Sequence, residues 1–200
     1  MGRAKEIILK VIPRNIANDF VKKNHYSGKF VPNSKLHFGC FLDKRLRGVM
    51  SFGSSMVKKK IIHLVKNTGW NEFIELNRMA FNDYLPKYSE SRCLSIAFKL
   101  IKKNAPHIKW VISFADATQS GDGTIYRASG FKLTGIKKNT ANLILPNGEI
   151  VNQVSFKDGS SNWCKKIRKE GYTSQTKYLN ENQKGWKYLE GYQLRYIYFI

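Results

Sequence analysis

Apolar and polar positions change rhythm along the chain, and each change marks an element. "EIILKVI" (6–12) alternates and is rich in β-branched residues, which predicts a strand. Pro13 then opens "PRNIANDFVKKN", where Ile16, Phe20 and Val21 share one helical face. "LHFGCFLD" and "RLRGVMSFG" flank "DKR", the pattern of an antiparallel hairpin. "MVKKKIIHLV" fits either a short strand or a basic flap. "NEFIELNRMAF" alternates again. Strict alternation sets Phe73, Glu75, Asn77 and Met79 opposite Ile74, Leu76, Arg78 and Ala80. In "YSESRCLSIAFKLIKKNAP" the period becomes helical. Leu94, Ala97, Phe98 and Ile101 form its apolar face, Lys102 and Lys103 suit its last turn, and Pro106 lies just beyond. "HIKWVISFAD" predicts a buried strand, "GTIYRASG" a short helix closed by Gly130, and "FKLTGI" a further strand. "ANLILPNGEIV" predicts a hairpin turning at Asn147-Gly148, "SNWCKKIRKEG" a basic helix, and "YQLRYIYFI" a closing aromatic strand.

The order is β-α-β-β-β-α-β-α-β, then a hairpin and basic insertion, then β. Helices alternate with strands, but the early strands come as hairpins. That predicts a mixed α/β sheet rather than a purely parallel one. Two hundred residues suit a single domain over 1–200, with 137–187 as a basic hairpin and helix elaboration before the last strand.

Charge narrows the function. Lys and Arg number 35 against 14 Asp and Glu, a net +21. A field of that size repels itself, and a polyanion relieves it. Nucleic acid is the first candidate, with Lys58, Lys59 and Lys60 and the run Lys165, Lys166 and Arg168 as phosphate grips. A solvated surface is the plain alternative for any one of them. The aromatics Trp70, Trp163 and Trp186 suit base stacking or core packing. A membrane is disfavoured, because no stretch of 18 apolar residues exists and no basic amphipathic helix stands out. Cys40, Cys93 and Cys164 are odd in number and far apart, which argues against a disulfide framework and a zinc ribbon. With no signal peptide in "MGRAKEIILKVIP", a cytoplasmic setting is expected.

Four stretches place polar residues where a fold prefers apolar ones. In "NHYSG", His25 can titrate near neutrality, ligate a metal or shuttle a proton, or sit as a surface histidine at a helix end. In "ELNRM", Arg78 on a strand calls for an anion: a phosphate, a carboxylate substrate or Asp116, unless it forms an edge-strand salt bridge. In "YSESR", Ser89 and Ser91 precede a helix whose free N–H groups attract anions, or they simply cap it. In "SFADATQSGDGTIYRASGF", Asp116 leaves a strand at its C-terminal end and Tyr126 opens the next helix. Asp116 can accept a proton and Tyr126 donate one, or they form an Asx-turn and a core contact.

"IYRASGF" resembles the Y-x-x-x-G-F signature in the last helix of GCN5-related N-acetyltransferases (GNAT), with Tyr126, Gly130 and Phe131 in register. The resemblance implies a GNAT-like α/β fold: a mixed, mostly antiparallel central sheet flanked by helices. In that superfamily the tyrosine often protonates the departing thiolate of coenzyme A.

Residues 20–135 are more specifically similar to the phage Mom DNA-modification family. The similarity rests on "NHYSGKFV", "FGCFLDKRLRGVMSFG", "ELNRMAFNDYLPKYSESR" and "SFADATQSGDGTIYRASGF", in order and with suitable gaps. It implies an enzyme placing a carbamoylmethyl group on adenine N6 in double-stranded DNA, which protects phage DNA from restriction. It implies a site of His25, Tyr26, Arg78, Ser91, Asp116 and Tyr126, with Asp116 as base and Tyr126 as acid. It also implies an acyl donor such as acetyl-CoA, held near Ser89 and Ser91, and iron, with His25 as a candidate ligand. Two departures stand out. "YLPKYSESRCLS" lacks the glycines of an acetyltransferase pyrophosphate loop, and the connector has Asp122 near where relatives carry a histidine. Acetyl transfer by itself would give N6-acetyladenine, so the carbamoylmethyl product needs a nitrogen source and a different bond. An ordinary acetyltransferase of protein or small-molecule amines, and a non-catalytic DNA-binding protein, are the alternatives.

Overall fold

The hairpin around "DKR" forms as its pattern predicts. In the computed structural model, which describes residues 2–118, 121–153 and 162–200, β2 (Ser34–Leu42) runs antiparallel to β3 (Arg45–Gly53). Asp43 and Lys44 both take positive φ, 52° and 60°, which gives a two-residue turn the twist the strands need. Asp43 is held there by Arg3 and by the Tyr84 hydroxyl at 2.7 Å. Gln119 and Ser120 of the polar connector, and residues 154–161 of the basic elaboration, lie outside the described residues.

The chain divides into two compact units. The first holds Met1–Ala115, Asp122–Gly135 and Leu194–Ile200; the second holds Asp116–Gly121 and Ile136–Gln193. A seven-stranded sheet has the order β1-β2-β3-β4-β5-β10-β6. Its further strands are β1 (Ile8–Val11), β4 (Phe73–Phe81), β5 (Trp110–Asp116), β6 (Lys132–Lys138) and β10 (Tyr192–Phe199). The first four strands pair antiparallel and β4 pairs parallel to β5. The fold is therefore the mixed, mostly antiparallel sheet expected.

Helix α1 (Arg14–Asn24) lays Ala17 and Val21 against Ile12, Val49 and Ala80, with Phe20, Phe30 and Phe41 around them. Phe20 and Val21 lie on the buried side as the sequence suggests, but Ile16 stays 45% exposed and Ala17 is buried instead. Helix α3 (Ser89–Asn104) buries the expected Leu94, Ala97, Phe98 and Ile101, and Phe98 stacks on Tyr198 at 4.2 Å. Leu94, Phe98 and Ile101, so buried, each stabilise the fold by about 1.5–3 kcal/mol. Residues 58–64 form neither strand nor flap. They coil into α2 (Lys58–Ile61) and a 3₁₀ turn, because Ile61 packs with Phe73, Trp110, Ile112 and Ile197. Cys40, Cys93 and Cys164 are all buried, and none of them forms a disulfide.

Helix α4 (Thr124–Ala128) carries Tyr126. Gly130, at φ +83°, ends it, and the Phe131 N–H returns to the Tyr126 carbonyl at 3.0 Å. Gly123 precedes it at φ +76°, and a Cβ there would meet the Tyr196 ring at 2.5 Å. Gly123→Ala is thus expected to destabilise the protein by about 1–3 kcal/mol, read from the urea midpoint. An unchanged midpoint would show that the Tyr196 ring moves aside without cost.

In the second unit, β7 (Asn142–Ile144) pairs with β8 (Ile150–Asn152) across the predicted Asn147-Gly148 turn, and β9 (Lys187–Tyr188) pairs with β7 on its other side. Helix α5 (Asn162–Lys169) buries Cys164 and Ile167. Lys165, Lys166 and Arg168 are exposed, so the helix has one basic face. Helix α6 (Gln175–Asn182) was not evident from the sequence; Ser174 caps it, accepting from the Lys177 N–H.

Candidate active site

The parallel ladder between β4 and β5 is short. It pairs Phe73, Ile74 and Glu75 with Trp110, Val111 and Ile112, and ends there. The Ser113 hydroxyl reaches the Leu76 carbonyl at 3.3 Å where pairing stops. At the same level β4 has a bulge. Ser51 pairs Arg78 and Phe52 pairs Leu76, so Asn77 is the extra residue. A bulge shifts the alternation by one. Glu75 and Arg78, opposed by strict alternation, therefore share a face. This corrects the two-face reading of "FIELNRMA" and brings a carboxyl near enough to Arg78 for each charge to favour the other, though not into a direct ion pair.

Around that pair the first unit gathers His25, Tyr26, Ser55, Ser113 and Tyr126. Burial pushes the Glu75 carboxyl above its ordinary value; hydrogen bonds from Ser55 and Asn77 and the nearby Arg78 charge oppose that. Burial lowers the Arg78 guanidinium, while Tyr26, Glu75 and Tyr126 favour its charge. Its Nε donates to the Lys29 carbonyl at 2.9 Å and Nη1 to the Asn77 carbonyl at 2.7 Å. Both contacts fix the direction of the fork. Burial also raises the Tyr126 phenol, which is hydrogen-bonded to Ser113. Tyr126 is thus a protonated donor at neutral pH, wedged against Tyr196 at 5.2 Å and Phe131 at 5.3 Å.

His25 follows α1, with burial first and Arg78 second lowering its pKa to about 4. The Ser27 N–H donates to His25 Nδ1 at 3.1 Å, which places the proton of the neutral ring on Nε2. His25 is therefore a neutral hydrogen-bond donor rather than a titrating surface residue. Tyr26 lies against it, ring centroids 4.3 Å apart, and is 59% exposed.

Asp116 belongs to the second unit. Its Oδ1 accepts from the Thr118 N–H at 3.0 Å and the Thr118 hydroxyl at 2.6 Å, and its Oδ2 from Asn142 Nδ2 at 3.2 Å. Asp122 accepts from Thr124 and pairs with Arg127 at 2.6 Å. Hydrogen bonds from Thr124 and Arg127 hold its carboxyl at about 2.

A cleft of about 860 Å³ opens beside α3, lined in part by Lys5, Lys87, Tyr88, Ser91, Arg92 and Lys99. Arg92 Nη2 donates to the Lys5 carbonyl at 3.2 Å, but its buried Nε has no partner. Tyr88, not a serine, is the N-cap residue, at φ +71°. Ser91 donates to the Tyr88 carbonyl at 3.2 Å. Ser89 is fully buried and donates to the Pro86 carbonyl at 2.5 Å, so it ties the turn instead of facing the cleft. Sequence reasoning missed Lys5, Lys87, Arg92 and Lys99 here because they come from three separate segments.

Of the proposed phosphate grips in the first unit, Lys58 holds its ammonium over Trp70 at 4.8 Å and Phe73 at 5.3 Å; Lys59 and Lys60 are exposed. Trp163 packs on Tyr178, and Trp186 on Tyr188. Among the described residues, no three His, Cys, Asp or Glu side chains gather as a metal site, and His25 Nδ1 is engaged by Ser27. These residues do not compose an iron site. No described helix is long and apolar enough to cross a membrane.

Comparison with known proteins bears on the family and the fold. The sequence profile of the Mom protein family matches residues 6–200. "Methylcarbamoylase mom" of Escherichia phage Mu is 36% identical over 137 residues, 68% of this chain and 57% of that protein, so the match spans little more than half of the relative's length. Among solved structures, Arabidopsis thaliana NAA60 with a bisubstrate analogue superposes with TM-score 0.59 at 10% identity, covering 97% of this chain and 98% of its own. The IAA acetyltransferase of Bacillus cereus gives 0.52 at 9% identity, covering 97% and 99%. At such identity these two speak for the fold alone, which is that of GNAT acetyltransferases.

Proposed function

The chain belongs to the Mom protein family, and from that premise we propose that it is a DNA-modifying transferase which places a carbamoylmethyl group on adenine N6 in double-stranded DNA. The observation that carries the reading is the placement of Glu75 and Arg78, both half-buried on one face of β4, beside the protonated Tyr126. Adenine N6 is a weak nucleophile, because its lone pair is delocalised into the ring. It must lose a proton as its new bond forms. Glu75, its carboxyl raised by burial, accepts that proton. Hydrogen bonds from Ser55 and Asn77, with the Arg78 charge, favour the carboxylate form of the half-buried Glu75. Tyr126 holds a proton for a leaving group. Tyr26 and His25 form the wall on which the base rests, and His25 Nε2–H is a fixed donor. Asp116, first in line as base from the sequence, takes a positioning role in this proposal. Its three bonds to Thr118 and Asn142 anchor it within the second unit.

An acyl-CoA fits the α3 cleft. Lys5, Lys87, Arg92 and Lys99 match a phosphate-rich nucleotide, and their charges offer a grip without a glycine loop. When bound, such a donor would supply a two-carbon acyl unit; a carbamoylmethyl product would further require an amide nitrogen source and a two-electron oxidant at the methyl carbon, which an acyl-CoA does not itself carry. One relative of this fold, an acetyltransferase of Bacillus subtilis, is a complex with CoA. Arg92→Ala is expected to weaken coenzyme A binding about 10- to 100-fold by titration calorimetry, the worth of one charged hydrogen bond. Equal affinity would move the cofactor elsewhere.

The functional test is protection. Plasmid DNA from cells expressing the protein should resist restriction enzymes whose sites contain adenine. Complete cleavage despite folded protein would favour the ordinary acetyltransferase reading.

A further inference from the structure

The loop between β3 and α2 carries two adjacent apolar side chains in water. Met56 is 77% exposed and Val57 50%. Single exposed apolar residues are ordinary on protein surfaces, but this pair is rigidly mounted. The Ser54 carbonyl accepts a hydrogen bond from Asn33. Ser55, 6% exposed, turns inward; its oxygen accepts from the Val57 N–H at 3.3 Å, and its hydroxyl bonds the Glu75 carboxyl. Lys59 and Lys60 follow at the surface, and Trp70, half exposed, lies under the Lys58 ammonium. The tip is thus apolar, flanked by cations, and one residue from a side chain bonded to the proposed base.

Resting on the DNA reading above, we propose that Met56 and Val57 form a wedge that enters the base stack of duplex DNA and fills the place of the modified base. A base still stacked in a duplex cannot bring N6 onto Glu75, a half-buried carboxyl set among Ser55, Asn77 and Arg78, so it must leave the helix. The gap it leaves favours an apolar filler, and unstacking a step costs a few kcal/mol that such a filler offsets. Lys59 and Lys60 match the phosphates on either side of the step, which commits the tip to duplex DNA rather than to an apolar protein partner.

An abasic duplex tests this, because its gap is already open. Wild-type protein should bind a duplex with one abasic site about tenfold more tightly than the paired duplex. Met56→Ser with Val57→Ser should bind the two equally and modify plasmid adenine at least about tenfold less in cells. Met56→Leu should keep both properties. Equal binding by wild type, with the double serine variant modifying DNA normally, overturns the wedge and leaves the DNA reading standing. Failure of wild type to bind either duplex overturns the wedge together with that reading.

Discussion

Raising salt from about 50 to 200 mM is expected to weaken binding to duplex DNA by about 10³- to 10⁵-fold, the loss for a protein making about six to ten phosphate contacts. The charge inventory sets this expectation. With 35 basic and 14 acidic side chains, at most 14 of the 35 can be neutralised one to one within the chain. The acids are also partly spent on local tasks: Asp43 holds Arg3, Glu72 holds Lys109, and Asp122 holds Arg127. Lys59 and Lys60 in the first unit, and Lys165 and Lys166 on the basic face of α5, remain exposed. Fluorescence anisotropy of a labelled duplex across salt concentrations gives the slope directly. A flat slope would mean that the basic surplus serves solubility or another partner.

Glu75→Gln is expected to reduce DNA modification by about 10²- to 10⁴-fold, the usual contribution of a general base. Glutamine keeps the shape and the hydrogen bonds of Ser55 and Asn77 but cannot take a proton. Thermal stability and duplex affinity should therefore hold. Asp116→Asn should behave differently. It sets an amide against Asn142 Nδ2 in place of an acceptor, so activity and melting temperature should fall together. The pH profile carries the same signature. Because burial raises Glu75, the acid limb of kcat/KM should lie above the ordinary carboxylate range. Activity is lost as pH falls through that limb, and the limb should vanish in the glutamine variant. Loss in Asp116→Asn without loss of stability, and an active Glu75→Gln, would return the base role to Asp116.

Local patterns made much of the fold legible. The "DKR" turn, the apolar stripe of α3 and the Tyr126–Gly130–Phe131 corner each depend on residues a few positions apart, and each formed as expected. The residues proposed to react were hidden. Glu75 and Arg78 share a face because β4 bulges at Asn77, and a bulge is decided by pairing with Ser51 and Phe52, more than 20 residues away. Residues 58–64 misled for a similar reason. Three lysines and two isoleucines fit a strand, and the helix forms because Ile61 finds Phe73 and Trp110. His25 and Tyr26 could be named from the sequence, but the neutral state of His25 follows from Ser27 and Arg78.

The central claim is that the Glu75–Arg78–Tyr126 cluster modifies adenine in DNA. Mass spectrometry of nucleosides from plasmid DNA, isolated from cells expressing wild-type protein or Glu75→Gln, addresses it most directly. The expected result is a deoxyadenosine bearing one carbamoylmethyl group in place of a hydrogen with wild type, and unmodified deoxyadenosine with the variant. Unmodified deoxyadenosine from cells that contain folded wild-type protein would contradict it.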